Sequence, residues 1–149
     1  MMHFLDTNVL AYSIDGRFPD KQRTALNILH KAVIKRNAAV SIQVLTEFSN
    51  VAINKLGQTP DEVRQEVMVW SEKLVFIEPS VRHLTRALEI HAFCQISIWD
   101  ALVVAAAEAG GCDTILSEDF NDGQHYCGLL ARNPFVRKSD TASKSTGDL

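Results

Sequence analysis

Four acidic residues of this 149-residue chain lie in segments where acids are uncommon. Asp6 and Asp119 each follow a short apolar segment that predicts a buried strand. Glu47 borders the apolar stripe of a predicted helix, and Asp100 lies in the first turn of a predicted helix that is apolar on all sides. A buried or half-buried carboxylate is costly without a partner, so we expect these four acids to share a counter-charge.

If the four carboxylates converge, they point to a metal site. Like charges about 4 Å apart repel by roughly 4 kcal/mol per pair at an effective dielectric constant near 20, so protons or cations must neutralise them. Ligand sets made only of oxygen favour Mg²⁺ or Mn²⁺ over zinc. Such ions polarise a phosphate, generate hydroxide and stabilise the leaving oxygen. The residues therefore predict metal-dependent phosphodiester hydrolysis.

Each acid also has a structural explanation. Asp6 fits an Asx-turn or the N-cap of the next helix, and Glu47 fits a stripe-edge residue that reaches water. Asp100 fits the third position of a capping box that begins at Ser97. Asp119 fits an acidic surface loop. The joint placement of the four acids favours a common site over four separate explanations.

The surrounding pattern predicts an α/β domain. Short apolar segments near residues 3–5, 38–42, 74–77, 114–117 and 128–131 alternate with segments of helical periodicity. We expect a central parallel sheet of four to five short strands, covered by helices on both faces. Because ligands bind beyond the carboxyl ends of parallel strands, this fold places Asp6 and Asp119 at one edge. The pattern predicts one domain over residues 1–135 and a polar, flexible tail over residues 136–149.

Composition and charge exclude several classes of protein. Hydrophobic residues form 46% of the chain and charged residues 22%, as in a soluble globular domain, and no apolar run is long enough to cross a bilayer. The N-terminus lacks the basic region of a signal peptide, and three unpatterned cysteines predict thiols, so we expect a cytoplasmic protein with no membrane partner. A net charge of −3 disfavours a protein that coats nucleic acid, although the basic stretch from Arg17 to Arg36 fits either a phosphate-facing patch or a solvated helix face.

Five segments resemble, in order, the motifs of PIN domains. The first is Phe4 to Leu10 (FLDTNVL), followed by LTEF at 45–48, WDA at 99–101, LSEDF at 116–120 and NPF at 133–135. The resemblance spans about residues 2 to 135. In size and composition the chain is similar to VapC-type toxins of prokaryotic toxin–antitoxin pairs.

This resemblance implies an RNA endonuclease in which Asp6, Glu47, Asp100 and Asp119 are the catalytic metal ligands. It implies Mg²⁺ or Mn²⁺ as the cofactor, RNA as the substrate, a cognate antitoxin that blocks the site, and a homodimer. Asn8 and Ser117 match positions that support the acids by hydrogen bonding. Asp122 is an extra acid that either binds a second ion or solvates its loop.

Two other functions fit the same acids. The first is a phosphotransferase with an Asp6 nucleophile. Such enzymes usually have a second acid two residues later, and Asn8 at that position disfavours this function. A non-catalytic regulatory module would use the acidic pocket to bind a basic partner peptide, since arginine pairs well with carboxylates. The chain has neither a recognisable Ser or Cys nucleophile motif nor a Gly-rich phosphate loop.

Overall fold

The computed structural model describes residues 1–136, which form six strands and six helices. Their bounds are β1 His3–Leu5, α1 Thr7–Ser13, α2 Pro19–Lys35, β2 Ala38–Ser41, α3 Ile42–Asn54, α4 Pro60–Lys73, β3 Val75–Ile77, α5 Val81–Cys94, α6 Ile98–Ala109, β4 Thr114–Leu116, β5 His125–Tyr126 and β6 Leu129–Arg132. The predicted tail lies outside the described residues except for Val136.

The strands form a single sheet in the order β3-β2-β1-β4-β6-β5, in which every pair is parallel except β5 with β6. The helices pack in two groups: α5 contacts α6, whereas α1 contacts α2 and α3. The predicted α/β fold is confirmed.

The strand β5 is an addition to the four to five strands that the sequence predicted. It is two residues long and joins β6 through Cys127 and Gly128, which have φ angles of 51° and 85°. Positive φ at both central residues is typical of a two-residue hairpin turn. The sequence predicted no strand here, because Cys127 is not one of the residues that usually mark such a turn.

Local capping explains where several helices begin. Thr59 and Glu62 form a reciprocal capping box at the start of α4. Helix α2 begins at Pro19, because proline is favoured at the first helical position. Ser41 and Ser97 cap α3 and α6, which contribute Glu47 and Asp100.

The core fills the space between the sheet and its helices. Phe4 and Ile115 on the central strands are fully buried, as are Phe48 of α3 and Val104 of α6. Within residues 1–136, no single helix is long and apolar enough to cross a membrane. Helices α5 and α6 reach that length and composition only as a pair, and the pair is bent by 117°.

The strand order creates a crevice beside β1. The chain proceeds from β1 to β2 and β3 on one side, and then returns to β4 on the other side of β1. A parallel sheet binds ligands at such a reversal, beyond the carboxyl ends of the strands. Asp6 follows β1 and Ser117 follows β4 at this edge.

Candidate active site

Asp6 is a buried carboxylate at the head of α1. It is 5% exposed and accepts hydrogen bonds from the Thr7 backbone N–H at 2.8 Å and from the Ser117 hydroxyl at 2.7 Å. Burial raises the pKa of Asp6 to about 6, the two hydrogen bonds oppose this rise, and the charges of Asp119 and Glu47 add to it. Asp6 is therefore the N-cap of α1, one of the two structural roles predicted for it. Because burial raises its pKa, the ionised form of Asp6 costs free energy in the folded protein.

Ser117 connects the side chains of Asp6 and Asn8 with the backbone of Asp119. Its hydroxyl is fully buried, donates to Asp6 and accepts the backbone N–H of Asp119 at 3.0 Å. The Asn8 amide nitrogen lies 3.3 Å from both Ser117 Oγ and Asp119 Oδ2, and Asn8 Oδ1 accepts the Glu118 N–H at 3.4 Å. Asn8 and Ser117 thus fasten the loop after β4 to the start of α1.

Glu47 is oriented by two neighbours that sequence reasoning missed. Its carboxylate accepts the Thr7 hydroxyl at 2.8 Å and the Gln43 amide at 3.0 Å. Gln43 also donates to the Trp99 carbonyl at 3.2 Å, next to Asp100. The spacing of four residues between Gln43 and Glu47 was a detectable signal, because such residues are neighbours on a helix. The Thr7 contact crosses 40 residues of chain and had no such signal.

Asp100 lies half-buried in the first turn of α6. Ser97 Oγ accepts its backbone N–H at 3.1 Å, but among the described residues its carboxylate does not complete the capping box by bonding the Ser97 backbone N–H. Burial raises the pKa of Asp100, the Ser97 side chain opposes the rise, and Asp119 and Glu47 add to it. The charges of Glu47 and Asp119 therefore raise the pKa of Asp100 as well as that of Asp6.

The remaining acids of the β4 loop have different surroundings. Asp119 is exposed at the mouth of the crevice. Glu118 accepts the Tyr12 hydroxyl at 2.6 Å and pairs with Lys21 at 3.0 Å. Asp122 accepts the Asn133 backbone N–H at 2.9 Å, so its carboxylate fastens the loop to the segment after β6.

Donor chemistry and charge fit the site to a hard divalent cation. Every predicted ligand is a carboxylate, and the repulsion that raises the pKa of Asp6 and Asp100 would be relieved by a cation. Among residues 1–136, however, no three His, Cys, Asp or Glu side chains form a group close enough to hold a metal ion. The fit therefore rests on the kind and charge of the donors.

A cavity of about 670 Å³ extends from these acids. Glu47 and Asp119 line the cavity together with Arg17, Phe18 and Lys55. The acidic crevice is thus continuous with a groove that has an aromatic ring and cations.

The structure shows the surroundings of two cations of the basic stretch from Arg17 to Arg36, whose role as a phosphate-facing patch stays a prediction. Arg17 donates two hydrogen bonds to Asp15, and Arg23 lies 3.7 Å from Asp20 on the exposed face of α2. Arg23 fits a solvated surface, whereas Arg17 faces the groove.

Comparison with known proteins identifies the family. The PIN domain model matches residues 3–122. The chain belongs to the PIN domain family. No curated protein matches this chain.

Solved structures share the fold of this PIN domain at low sequence identity. VapBC2 from Rickettsia felis, bound to a DNA fragment from its promoter, matches with a TM-score of 0.66 at 19% identity, over 89% of this chain and 98% of the other. DNA-bound VapBC from Salmonella typhimurium matches with a TM-score of 0.62 at 16% identity, over 90% and 98%. VapC20 from Mycobacterium tuberculosis, described as a toxin that cleaves the sarcin-ricin loop, matches with a TM-score of 0.55 at 15% identity, over 76% and 86%.

The predicted ligands of this PIN domain come from four separate elements. Asp6 follows β1, Glu47 lies on α3, Asp100 on α6 and Asp119 after β4. Their charges interact: Glu47 and Asp119 raise the pKa of both Asp6 and Asp100. Their roles as metal ligands stay a prediction.

Proposed function

We propose that this PIN domain is a metal-dependent endoribonuclease that acts as the toxin of a toxin–antitoxin pair. One observation carries the proposal: carboxylates from four separate elements share one electrostatic environment beside the sheet's topological reversal. Perturbed carboxylates that lie in a crevice are a recognised sign of a functional site.

In this proposal Asp6, Glu47, Asp100 and Asp119 hold Mg²⁺ or Mn²⁺. When bound, the ion supplies Lewis-acid polarisation of the phosphodiester and acidifies the attacking water. Ser117 and Asn8 hold Asp6 and Asp119 in place, while Thr7 and Gln43 orient Glu47. Asp122, held by Asn133, is the weakest candidate ligand, and we assign it to loop structure.

The named structures support the substrate class and the partner. VapC20 is described as a toxin that cleaves the sarcin-ricin loop, and the matched Rickettsia and Salmonella structures are VapBC complexes. We therefore propose RNA as the substrate and a cognate antitoxin as the partner that blocks the acidic crevice.

An apolar stripe on α5 supports a homodimer. Val81, Leu84 and Leu88 are 78%, 46% and 52% exposed and recur at helical spacing. Exposed apolar patches of this kind mark protein interfaces. We propose that a second copy covers this stripe.

The test of the nuclease is RNA cleavage by the purified protein. We expect it to cleave tRNA or rRNA with Mg²⁺ or Mn²⁺, and to lose this activity with EDTA, with Asp6→Asn or with Asp119→Asn. Asp61→Asn, on the exposed face of α4, is the matched control and should cleave normally. A folded wild-type protein that cleaves no RNA with any divalent ion contradicts the proposal.

A second candidate is a non-catalytic module that binds a basic peptide. The absence of a three-acid metal group among residues 1–136 favours it, because separated carboxylates can pair individually with arginine side chains. This module would bind an arginine-bearing peptide with an affinity that EDTA leaves unchanged. Divalent ions should instead compete with such a peptide if the nuclease proposal is right.

A further inference from the structure

The groove beside the acids has two helical walls. On each wall the lining residues follow the spacing of one helix face: Asn8, Ala11 and Tyr12 on α1, and Glu47, Asn50 and Val51 on α3. At a rise of 1.5 Å per residue, Lys55 lies roughly 12 Å beyond Glu47 along the α3 axis. The groove therefore extends from the acids along both helices, and Phe18, Arg17 and Lys55 also line it.

Phe18 presents a partly exposed aromatic ring to this groove. It is 45% exposed, although large apolar side chains are usually buried. The Tyr12 ring holds its edge at a centroid distance of 5.8 Å, and the Arg17 guanidinium lies 5.5 Å from its centroid. An aromatic ring fixed in this way and flanked by a cation is a surface on which a nucleobase stacks.

The cations that line the groove differ in their availability. Two nitrogens of Arg17 already donate to Asp15, which offsets much of its charge. Lys55 lies exposed just after the end of α3 and forms no ion pair with any residue in the range 1–136. Lys55 is therefore the better partner for a phosphate.

We infer that the groove binds a nucleotide of single-stranded RNA next to the cleaved bond, with its base on Phe18 and its phosphate at Lys55. The inference rests on the proposed nuclease function and adds a substrate-binding subsite to it. A single strand is required because a paired base has no free face to stack on the ring.

At Lys55 the charge favours RNA over a basic peptide. Lys55 has no acidic partner among residues 1–136, so it would repel a cationic segment and attract a phosphate, whereas Asp15 offsets much of the charge of Arg17. The ring of Phe18 suits any base, so the subsite would add affinity without strong sequence preference.

Substitutions of Phe18 test the stacking. With a short fluorescent single-stranded RNA, in the Asp119→Asn background to prevent cleavage, we expect Phe18→Ala to weaken binding roughly 5- to 100-fold in fluorescence anisotropy. Phe18→Leu, which keeps apolar contact with Tyr12, should weaken RNA binding to a similar extent. Phe18→Tyr should bind RNA with the affinity of the wild type. Phe93→Ala is the matched control, because Phe93 is 83% exposed on α5 and does not line this groove.

The salt dependence of binding tests Lys55. Each phosphate contact contributes a slope of about −0.7 to log K against log salt for single strands. Lys55→Gln should make the slope about 0.7 less negative, while Arg23→Gln, an exposed control on α2, should leave it unchanged.

An abasic RNA separates this inference from the proposed function. Removing the one base that stacks should lower the affinity of the wild-type protein for the RNA. The affinity of the Phe18→Ala protein should be the same for the abasic and the intact RNA. If cleavage occurs but no Phe18 or Lys55 substitution changes binding or KM, the subsite is wrong and the nuclease stands. If Phe18 governs RNA binding without any cleavage, the subsite stands and the nuclease proposal fails. A groove that binds an arginine-rich peptide through Phe18, and no RNA, overturns the subsite.

Discussion

At the scale of single residues, the site depends on a carboxylate buried at a free-energy cost. Asp6 keeps its proton up to a pH of about 6 in the folded protein, whereas an unfolded aspartate loses it near pH 4. The folded state therefore binds more protons between these values, and metal-free stability falls as pH rises through this window. Above pH 6 the cost is on the order of 2 to 3 kcal/mol.

Asp6→Asn should remove this cost. In EDTA at pH 7 we expect the free energy of unfolding to rise by roughly 1 to 3 kcal/mol, and at pH 4 to change little, because both side chains are then neutral. Asparagine also preserves the N-cap of α1. Urea denaturation at the two pH values measures the difference, with Asp122→Asn as the loop control. Lower stability at both pH values would mean that the carboxylate serves mainly as a cap.

Ser117→Ala should remove the hydrogen bonds that link the Asp6 carboxylate to the loop after β4. It removes one of the two donors to Asp6, leaving the Thr7 N–H, and it deprives the Asp119 N–H and the Asn8 amide of an acceptor. We expect a loss of roughly 1 to 3 kcal/mol in stability and a roughly 10- to 100-fold loss of RNA cleavage. Ser13→Ala, which removes a buried hydroxyl bonded to the Leu10 carbonyl, is the control for stability alone. Equal cleavage by the two variants would contradict this role for Ser117.

At the scale of elements, helix capping positions the Asp100 carboxylate. Ser97 holds the first turn of α6, in which Asp100 lies, and Ser80 caps α5 in the same way away from the acids. Both caps are serine side chains that accept a backbone N–H, but only the cap of α6 lies next to a predicted metal ligand. Comparing substitutions of the two serines therefore distinguishes an effect on helix stability from an effect on the position of Asp100.

Ser97→Ala and Ser80→Ala should lower the free energy of unfolding by about 1 kcal/mol each. Only Ser97→Ala should also weaken Mn²⁺ binding, because fraying of the first turn of α6 displaces Asp100. Thermal melts measure the first effect, and isothermal titration calorimetry with Mn²⁺ measures the second. If both variants bind Mn²⁺ like wild type, Asp100 does not need this cap to act as a ligand.

At the scale of the whole molecule, four elements meet at the acids, so a cation should stabilise the entire domain. Mn²⁺ at about 100 times its dissociation constant should add roughly 2.7 kcal/mol to the free energy of unfolding. Affinity should fall as pH drops below about 6, because protons then compete for Asp6. Melting temperatures across a metal titration at pH 7 and pH 5 test this. A melting temperature that no divalent ion changes counts against a metal site.

The exposed stripe on α5 should control oligomeric state. We expect wild type to sediment as a dimer and Leu88→Lys as a monomer, because a buried lysine charge opposes association. Leu26→Lys changes a leucine on α2 that is 49% exposed, close to the 52% of Leu88, and should remain dimeric. A monomeric wild type, or a dimeric Leu88→Lys protein, contradicts the proposed interface.

The sequence by itself determined the fold class, the family and the candidate ligands. Helical and strand periodicities, the Thr59 capping box and the acids at strand ends are local signals, because each depends on residues within a few positions of one another. The ordered motifs placed Asp6, Glu47, Asp100 and Asp119 in one family pattern without any contact being known.

Only the tertiary structure decided how these residues meet. The Ser117 contacts with Asp6 and Asn8 depend on the parallel pairing of β1 with β4, and the Thr7–Glu47 bond depends on the packing of α1 against α3. The groove lined by Phe18 and Lys55 depends on the same packing. Strand order and helix packing join segments far apart in the chain, so no local pattern encodes these contacts.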